Sequence, residues 1–377
     1  MKVPLIMTPG PTQVRENVRM ARSLATTNPD LDLQFYEFYK ETCEEIGRFL
    51  NTKNEVRILS GEGILGLEAA CASLTENDDR VLVIDNGIFG EGFADFVKMY
   101  GGEVAFFKGD RKRKIDIIGL EKFLEKDHDF KYATVVHCDT PSGVLNDIDK
   151  ICKLLKKNGI LTVVDSVAGM GGEDIRVDEW GIDIVLGASQ KCISAPAGLT
   201  FLSISEDAFK LMNNRKKPIA SYYCNLLIWK DYYDNKWFPY TPPISDIVGL
   251  RQAFDNILAD KDILERHESI GKATRKAIKE AGLNLYIKDG YSNTVTVVEI
   301  PVGINGKELL KHMTSEFNVF IAGSFGYLEG KVIRIGHMGE NAKKDKMAYT
   351  LLALQTSLKT LGFECEKNMV EVFLDEL

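Results

Sequence analysis

Ile160-Leu161-Thr162-Val163-Val164-Asp165, followed by Ser166-Val167-Ala168-Gly169-Met170-Gly171-Gly172 and then by Asp183-Ile184-Val185-Leu186-Gly187-Ala188-Ser189-Gln190-Lys191, decides how this chain is read. Two short apolar runs each lead to a charged residue. A loop of small residues follows each one, the second being Cys192-Ile193-Ser194-Ala195-Pro196-Ala197-Gly198. Runs of this kind are strands buried on both faces of a parallel sheet. Asp165 and Lys191 then fall at the carboxyl edge of one sheet, where open α/β sheets bind ligands. A lysine that condenses with an aldehyde and a carboxylate that keeps a pyridinium nitrogen protonated are the two protein groups that make pyridoxal phosphate an electron sink. Small residues beside them let a ring approach the backbone closely. Either residue alone has an ordinary reading, as an aspartate capping the next turn or a solvated lysine.

Working outward, further strands are expected at Val56-Leu59, Val81-Ile84, Val104-Phe107, Ala133-His137 and Leu199-Ile204, with helical runs such as Leu65-Leu74 and Ile148-Leu155 between most of them. That alternation predicts a mostly parallel seven-stranded sheet covered by helices. The aromatic stretch Ser221 to Pro243 interrupts it. A helical run from about Ile247 to Ala281 then leads to strands near Thr294-Ile300 and Val332-Ile335. The expected organisation is an N-terminal arm over 1–14, a large α/β domain over 15–244 and a smaller α+β domain over 245–377.

A rival sits at Ser60-Gly61-Glu62-Gly63-Ile64-Leu65-Gly66. Gly61, Gly63 and Gly66 spell Gly-x-Gly-x-x-Gly after a strand and before a helix, with Asp85 ending the next strand, as an NAD-dependent dehydrogenase would place them. A glycine-rich turn at a helix start binds any phosphate, however, through free N–H groups and the helix dipole. The nicotinamide reading also leaves the Asp165 and Lys191 loops without a purpose.

The 377 residues can bury a sizeable core, and 55 acidic against 47 basic residues argue against nucleic acid or an anionic membrane as partner. The 7 cysteines are scattered and never form a Cys-x-x-Cys pair, so they read as reduced thiols, neither disulfides nor a zinc site. The beginning of the chain is too short and too proline-broken for a signal peptide, and no run is long enough to span a bilayer. A cytoplasmic location is expected. His137-Cys138-Asp139 invites a metal reading, but adjacent residues on an extended chain face opposite ways, and no metal is expected.

Asp-Ser-Val-Ala, Gly-Ile-Asp and Ser-Gln-Lys, in that order from Asp165 to Lys191, resemble the class V, fold-type I pyridoxal-phosphate aminotransferases, nearest in look to the alanine:glyoxylate, serine:pyruvate and 2-aminoethylphosphonate branch. The likeness runs from Pro9-Gly10-Pro11 to Arg334. It implies that Gly61, Glu62 and Gly63 hold the phosphate and that Phe89, in Asn86-Gly87-Ile88-Phe89-Gly90, stacks on the ring with Val167 on its other face. It places Thr140 near the phenolic oxygen, Gln190 on the phosphate, and Asp165 and Lys191 as the catalytic pair. Thr241, in Phe238-Pro239-Tyr240-Thr241-Pro242-Pro243, should cross a homodimer interface to the neighbouring subunit's phosphate, though the same segment also reads as an interdomain linker. Arg334 should grip the substrate α-carboxylate with its planar fork.

Three positions depart from the family pattern. Glu62 stands where relatives carry a small or hydroxyl residue, and an acid there repels a phosphate unless it points away. Ile64 replaces a side chain that is commonly polar or aromatic. Thr26-Thr27-Asn28-Pro29-Asp30 lacks the histidine or arginine that some relatives show. The expected activity is ping-pong transamination from alanine or serine to glyoxylate or pyruvate. The alternatives are a 2-aminoethylphosphonate donor, a lyase or desulfurase, the dehydrogenase, and a non-catalytic protein that kept the fold.

Overall fold

The computed structural model describes residues 3–24 and 26–377. Its main sheet has seven strands in the order Glu103–Lys108, Arg80–Asp85, Tyr132–Val136, Leu161–Asp165, Ile184–Ala188, Leu199–Ile204 and Glu55–Ser60. Leu199–Ile204 runs antiparallel to both neighbours, and the other pairs are parallel. Every residue of Tyr132–Val136, Leu161–Asp165 and Ile184–Ala188 is buried. Helices Gly63–Leu74 and Ile148–Lys157 are among those packed against this sheet, which explains why these strands are continuous apolar runs and not alternating ones. Asp165 ends one strand, the Lys191 loop follows the next, and the Gly61 turn follows Glu55–Ser60, so all three meet at one edge.

That order also decides against the dinucleotide reading. The strand feeding a Gly-x-Gly-x-x-Gly turn is central in a dinucleotide fold. Here Glu55–Ser60 is the last strand of the sheet, with an antiparallel neighbour. Asp85 is also occupied, accepting a hydrogen bond from the Gly87 N–H at 3.1 Å.

The predicted helical run from Ile247 to Ala281 is two helices, Ile244–Leu258 and Ile263–Glu280. Between them, the Asp260 carboxylate binds the Arg266 guanidinium, with Nη1 to Oδ1 at 2.9 Å. Ile247, Leu250 and Phe254 of the first helix belong to the core beneath the main sheet, whereas Ile270, Ala273 and Ala277 of the second belong to a separate core with Val298, Ile333 and Ile335. By this packing we infer that the domains divide near Asp260, later than the expected 244. The second core is built on the antiparallel pair Val295–Glu299 and Val332–Gly336. It also takes in the N-terminal arm, whose Leu5–Ile6 pairs in parallel with Val319–Phe320 and whose Met7 is fully buried.

The stretch Ser221 to Pro243 packs as more than a linker. Trp229 and Phe238 are buried against helix Leu33–Phe49, Phe238 stacking on Tyr36 with ring centroids 4.5 Å apart.

Candidate active site

A cavity of ≈ 320 Å³ opens at the carboxyl edge of the sheet, and its walls include Glu62, Gly63, Phe89, Thr140, Asp165, Val167, Gln190 and Lys191. All eight were expected at the site from sequence. Gly61 belongs to the turn just before this wall, but it is not itself a wall residue. Gly63 has to lack a side chain, because a Cβ there would lie 2.9 Å from Val167 Cγ2.

Asp165 is 5 % exposed, and its Oδ1 accepts the Val167 N–H at 2.9 Å. Burial pushes its carboxyl up to about 7, a rise opposed by the Val167 hydrogen bond and the Lys191 charge and reinforced by Asp139 and Glu62. The Lys191 Nζ donates to the Pro9 carbonyl at 2.6 Å. Burial brings this amine down to about 8, the Arg334 charge adding to the effect. The approach of Lys191 to the arm requires Gly10, which has φ +107° and whose Cβ would lie 2.4 Å from Lys191 Cδ. Thr12 fastens the arm from the other side, its Oγ1 donating to the Lys191 carbonyl at 2.9 Å.

Phe89, in the first turn of helix Ile88–Met99, and Thr140, in the turn after Cys138–Asp139, are joined by one residue. Buried Asp139 accepts the Phe89 N–H at 3.1 Å and the Ser142 hydroxyl at 2.6 Å. This staple escaped the sequence reading. The Asp139-to-Ser142 turn is a local signal that could have been found, whereas the partner 50 residues away could not. The neighbouring side chains diverge: the His137 ring meets the Ser166 hydroxyl at 2.9 Å, while Cys138 lines the cavity and lies 3.7 Å from the Thr294 hydroxyl.

Besides Gly61, two expected residues stand apart from the cavity wall. The Arg334 Nε donates to the Gly323 carbonyl at 2.6 Å, and Nη1 reaches the carbonyl of the wall residue Thr140 at 3.5 Å. Burial lowers the guanidinium to about 10, opposed by Asp139. Thr241 is exposed and lies outside the cavity of its own chain.

A pyridoxal ring fits one part of this cavity. Asp165 is a buried carboxylate short of a cation, Lys191 shares its cavity, and Phe89 and Val167 offer apolar surfaces for a flat ring. The phosphate end does not fit. Glu62 is a wall residue, its Oε2 accepting from Gln190 Nε2 at 3.5 Å, and the buried Gln190 Oε1 has no hydrogen-bond partner. Among the described wall residues Lys191 is the one cation, against two acids, Glu62 and Asp165.

Sheet order, the paired Asp165 and Lys191, and the two-core architecture define a fold-type I aminotransferase. Residues 14–327 match the family model for aminotransferase class V, and the chain belongs to that family. It is a transaminase. It is 34% identical over 372 residues to an uncharacterized aminotransferase of Methanocaldococcus jannaschii, covering 98% of this chain and 96% of that protein. It is 32% identical over 339 residues to the pyridoxamine–pyruvate transaminase of Mesorhizobium japonicum, covering 88% and 86%. The crystal structure of the ureidoglycine–glyoxylate aminotransferase from Bacillus subtilis superimposes with a TM-score of 0.95 at 30% identity, covering 100% of this chain and 98% of that one.

Proposed function

We propose that this transaminase moves an amino group between a small amino acid, alanine or serine first, and a short 2-oxo acid such as pyruvate or glyoxylate, by way of a pyridoxal ring seated between Phe89 and Val167. The observation that carries the reading is the convergence of Asp165 and Lys191 on one cavity of ≈ 320 Å³. A bound pyridoxal supplies the aldehyde and the electron-withdrawing heterocycle. Asp165 holds the ring nitrogen protonated, and Asp139 ties the helix start that carries Phe89 to the turn that carries Thr140. Lys191, brought toward neutrality by burial, takes the proton from the Cα of the amino donor and returns it on the other side of the exchange. Arg334 receives the α-carboxylate next to Thr140. Cavity walls that include Ala168, Ala197, Leu67 and Ile64 suit a small side chain.

A second reading takes pyridoxamine as donor and pyruvate as acceptor, the reaction named for the Mesorhizobium relative. Glu62 favours it, because an acid stands where a phosphate would have to sit. A 2-aminoethylphosphonate donor would bring a second phosphorus acid toward the same negative cavity.

The test of transamination is the visible spectrum of the protein, supplied with pyridoxal or its phosphate, on adding L-alanine, L-serine or pyruvate, with borohydride reduction and peptide mapping. The expected label is on Lys191, and Lys191→Ala should lose turnover by roughly 10²–10⁴-fold. Undiminished transamination by Lys191→Ala would refute the assignment.

A further inference from the structure

Resting on the transaminase reading, we infer that Glu62 makes this cavity select pyridoxal and pyridoxamine bearing a free 5′-hydroxymethyl group over their 5′-phosphates, so that the ring compound is a dissociable reactant and not a resident cofactor. The ring nitrogen and the reactive 4′ carbon lie para to each other, so a ring spanning Asp165 and Lys191 directs its 3-hydroxyl and its 5′ arm to the two remaining sides. The wall supplies Thr140 from the turn after Asp139, and Glu62 in contact with Gln190 from the helix-opening turn, and the family likeness assigns the first to the 3-hydroxyl and the second to the 5′ arm. The 5′ arm therefore runs toward the turn that opens helix Gly63–Leu74.

At that end the side chains present acceptors. Glu62 is the residue preceding the helix, and its side chain makes no capping hydrogen bond to it; it lies against Gln190. Gln190 turns its amide nitrogen toward Glu62, one N–H reaching Oε2, and leaves its buried Oε1 unmatched. A hydroxyl donates to a carboxylate or an amide oxygen, so a 5′-alcohol satisfies this end. A phosphate dianion brings acceptors and two negative charges, and like charges placed together are a strong means of rejecting a ligand. Among the described wall residues no cationic side chain offsets them, Lys191 being committed to the reacting end and to the Pro9 carbonyl. Backbone N–H groups at the helix start attract any anion, but Glu62 is the residue immediately before them and brings its negative charge to the same turn.

The exchange that follows balances without a further reagent. The nitrogen of pyridoxamine, with its two hydrogens and one methylene hydrogen, passes to C2 of the 2-oxo acid, and the ketone oxygen ends on the aldehyde of pyridoxal. The methylene carbon is oxidised by two electrons and C2 is reduced by two.

The experiment is direct binding of pyridoxal and of pyridoxal 5′-phosphate to the full-length protein by calorimetry, for wild type, Glu62→Gln and Glu62→Ser, followed by addition of L-alanine to each complex. Glu62 is exposed and caps nothing, so both variants should fold. Wild type should bind pyridoxal about tenfold or more tightly than the phosphate ester, and both variants should erase that preference by gaining affinity for the ester. Wild-type protein that retains the phosphate ester through desalting, or a preference unchanged in both variants, would overturn the inference. If alanine converts the phosphate complex alone, the selection by Glu62 fails and transamination stands. If alanine converts neither complex, and serine and pyruvate also fail, the transaminase chemistry fails and takes the inference with it.

Discussion

Asp165 is held at a carboxyl pKa of about 7 because burial removes water and one backbone donor cannot replace it. The folded-state value lies above the ordinary carboxylate range, so the folded protein holds this proton more tightly than the unfolded chain does. Its contribution to stability is greatest below that range and is lost as pH rises through about 7. Lys191 acts in the opposite sense, since its lowered value relieves the cost of a buried ammonium only above about 8. The expected outcome is that Asp165→Asn, freed of ring compounds, melts at a higher temperature than wild type on the alkaline side of neutrality, by on the order of 1–3 kcal/mol of stability. Near the ordinary carboxylate range the two should melt alike. The same variant should lose transamination, because an amide cannot keep a ring nitrogen charged. Thermal melts across that pH span, set beside turnover, check both halves, and a wild type more stable than the variant at alkaline pH would show that this carboxylate is better compensated than its surroundings indicate.

At the scale of elements, the loop after Leu161–Asp165 does two things. Its beginning lines the cavity through Val167 and Ala168, and further on Glu173 reaches the smaller domain, accepting from the Ser292 hydroxyl at 3.0 Å and from both the backbone N–H and the side-chain amide of Asn293. Glu173→Ala takes the acceptor from the half-buried Asn293 donors and leaves the buried Ser292 hydroxyl with Thr294 alone, and the expected loss is about 1–3 kcal/mol, read from denaturant unfolding of both variant and wild type. A loss below a few tenths would mean that water replaces the carboxylate. Glu173 was invisible in the sequence, as was the Pro9 acceptor of Lys191, because both depend on partners more than 100 residues away in the chain. Asp165, Lys191 and their small-residue loops were legible because strand burial and chain direction are local properties, and the turn at Gly61–Glu62–Gly63 was legible for the same reason. The helix break at Asp260 was missed because its apolar period continues on both sides, and only the Asp260–Arg266 pair marks the corner.

For the molecule as a whole, Thr241 poses the question of assembly. It lies exposed at the end of an aromatic segment in which Tyr222, Tyr223 and Trp237 are 55%, 52% and 53% exposed, while Tyr240 stacks on Tyr223 with centroids 4.4 Å apart. Large exposed aromatic rings, here including the Tyr222, Tyr223 and Tyr240 cluster, are characteristic of an interface between proteins. If a second copy covers this face, Thr241 is carried toward a neighbouring molecule, which explains how a residue expected at the cavity can stand outside the cavity of its own chain. Light scattering behind a sizing column should then report a dimer, and replacing both Tyr223 and Trp237 by charged residues should shift it toward the monomer with loss of turnover. A native monomer with full activity would show that the cavity is complete within one chain and that the exposed rings serve another purpose. A dimer undisturbed by the double substitution would place the interface on a different face and leave Thr241 with no part in the site.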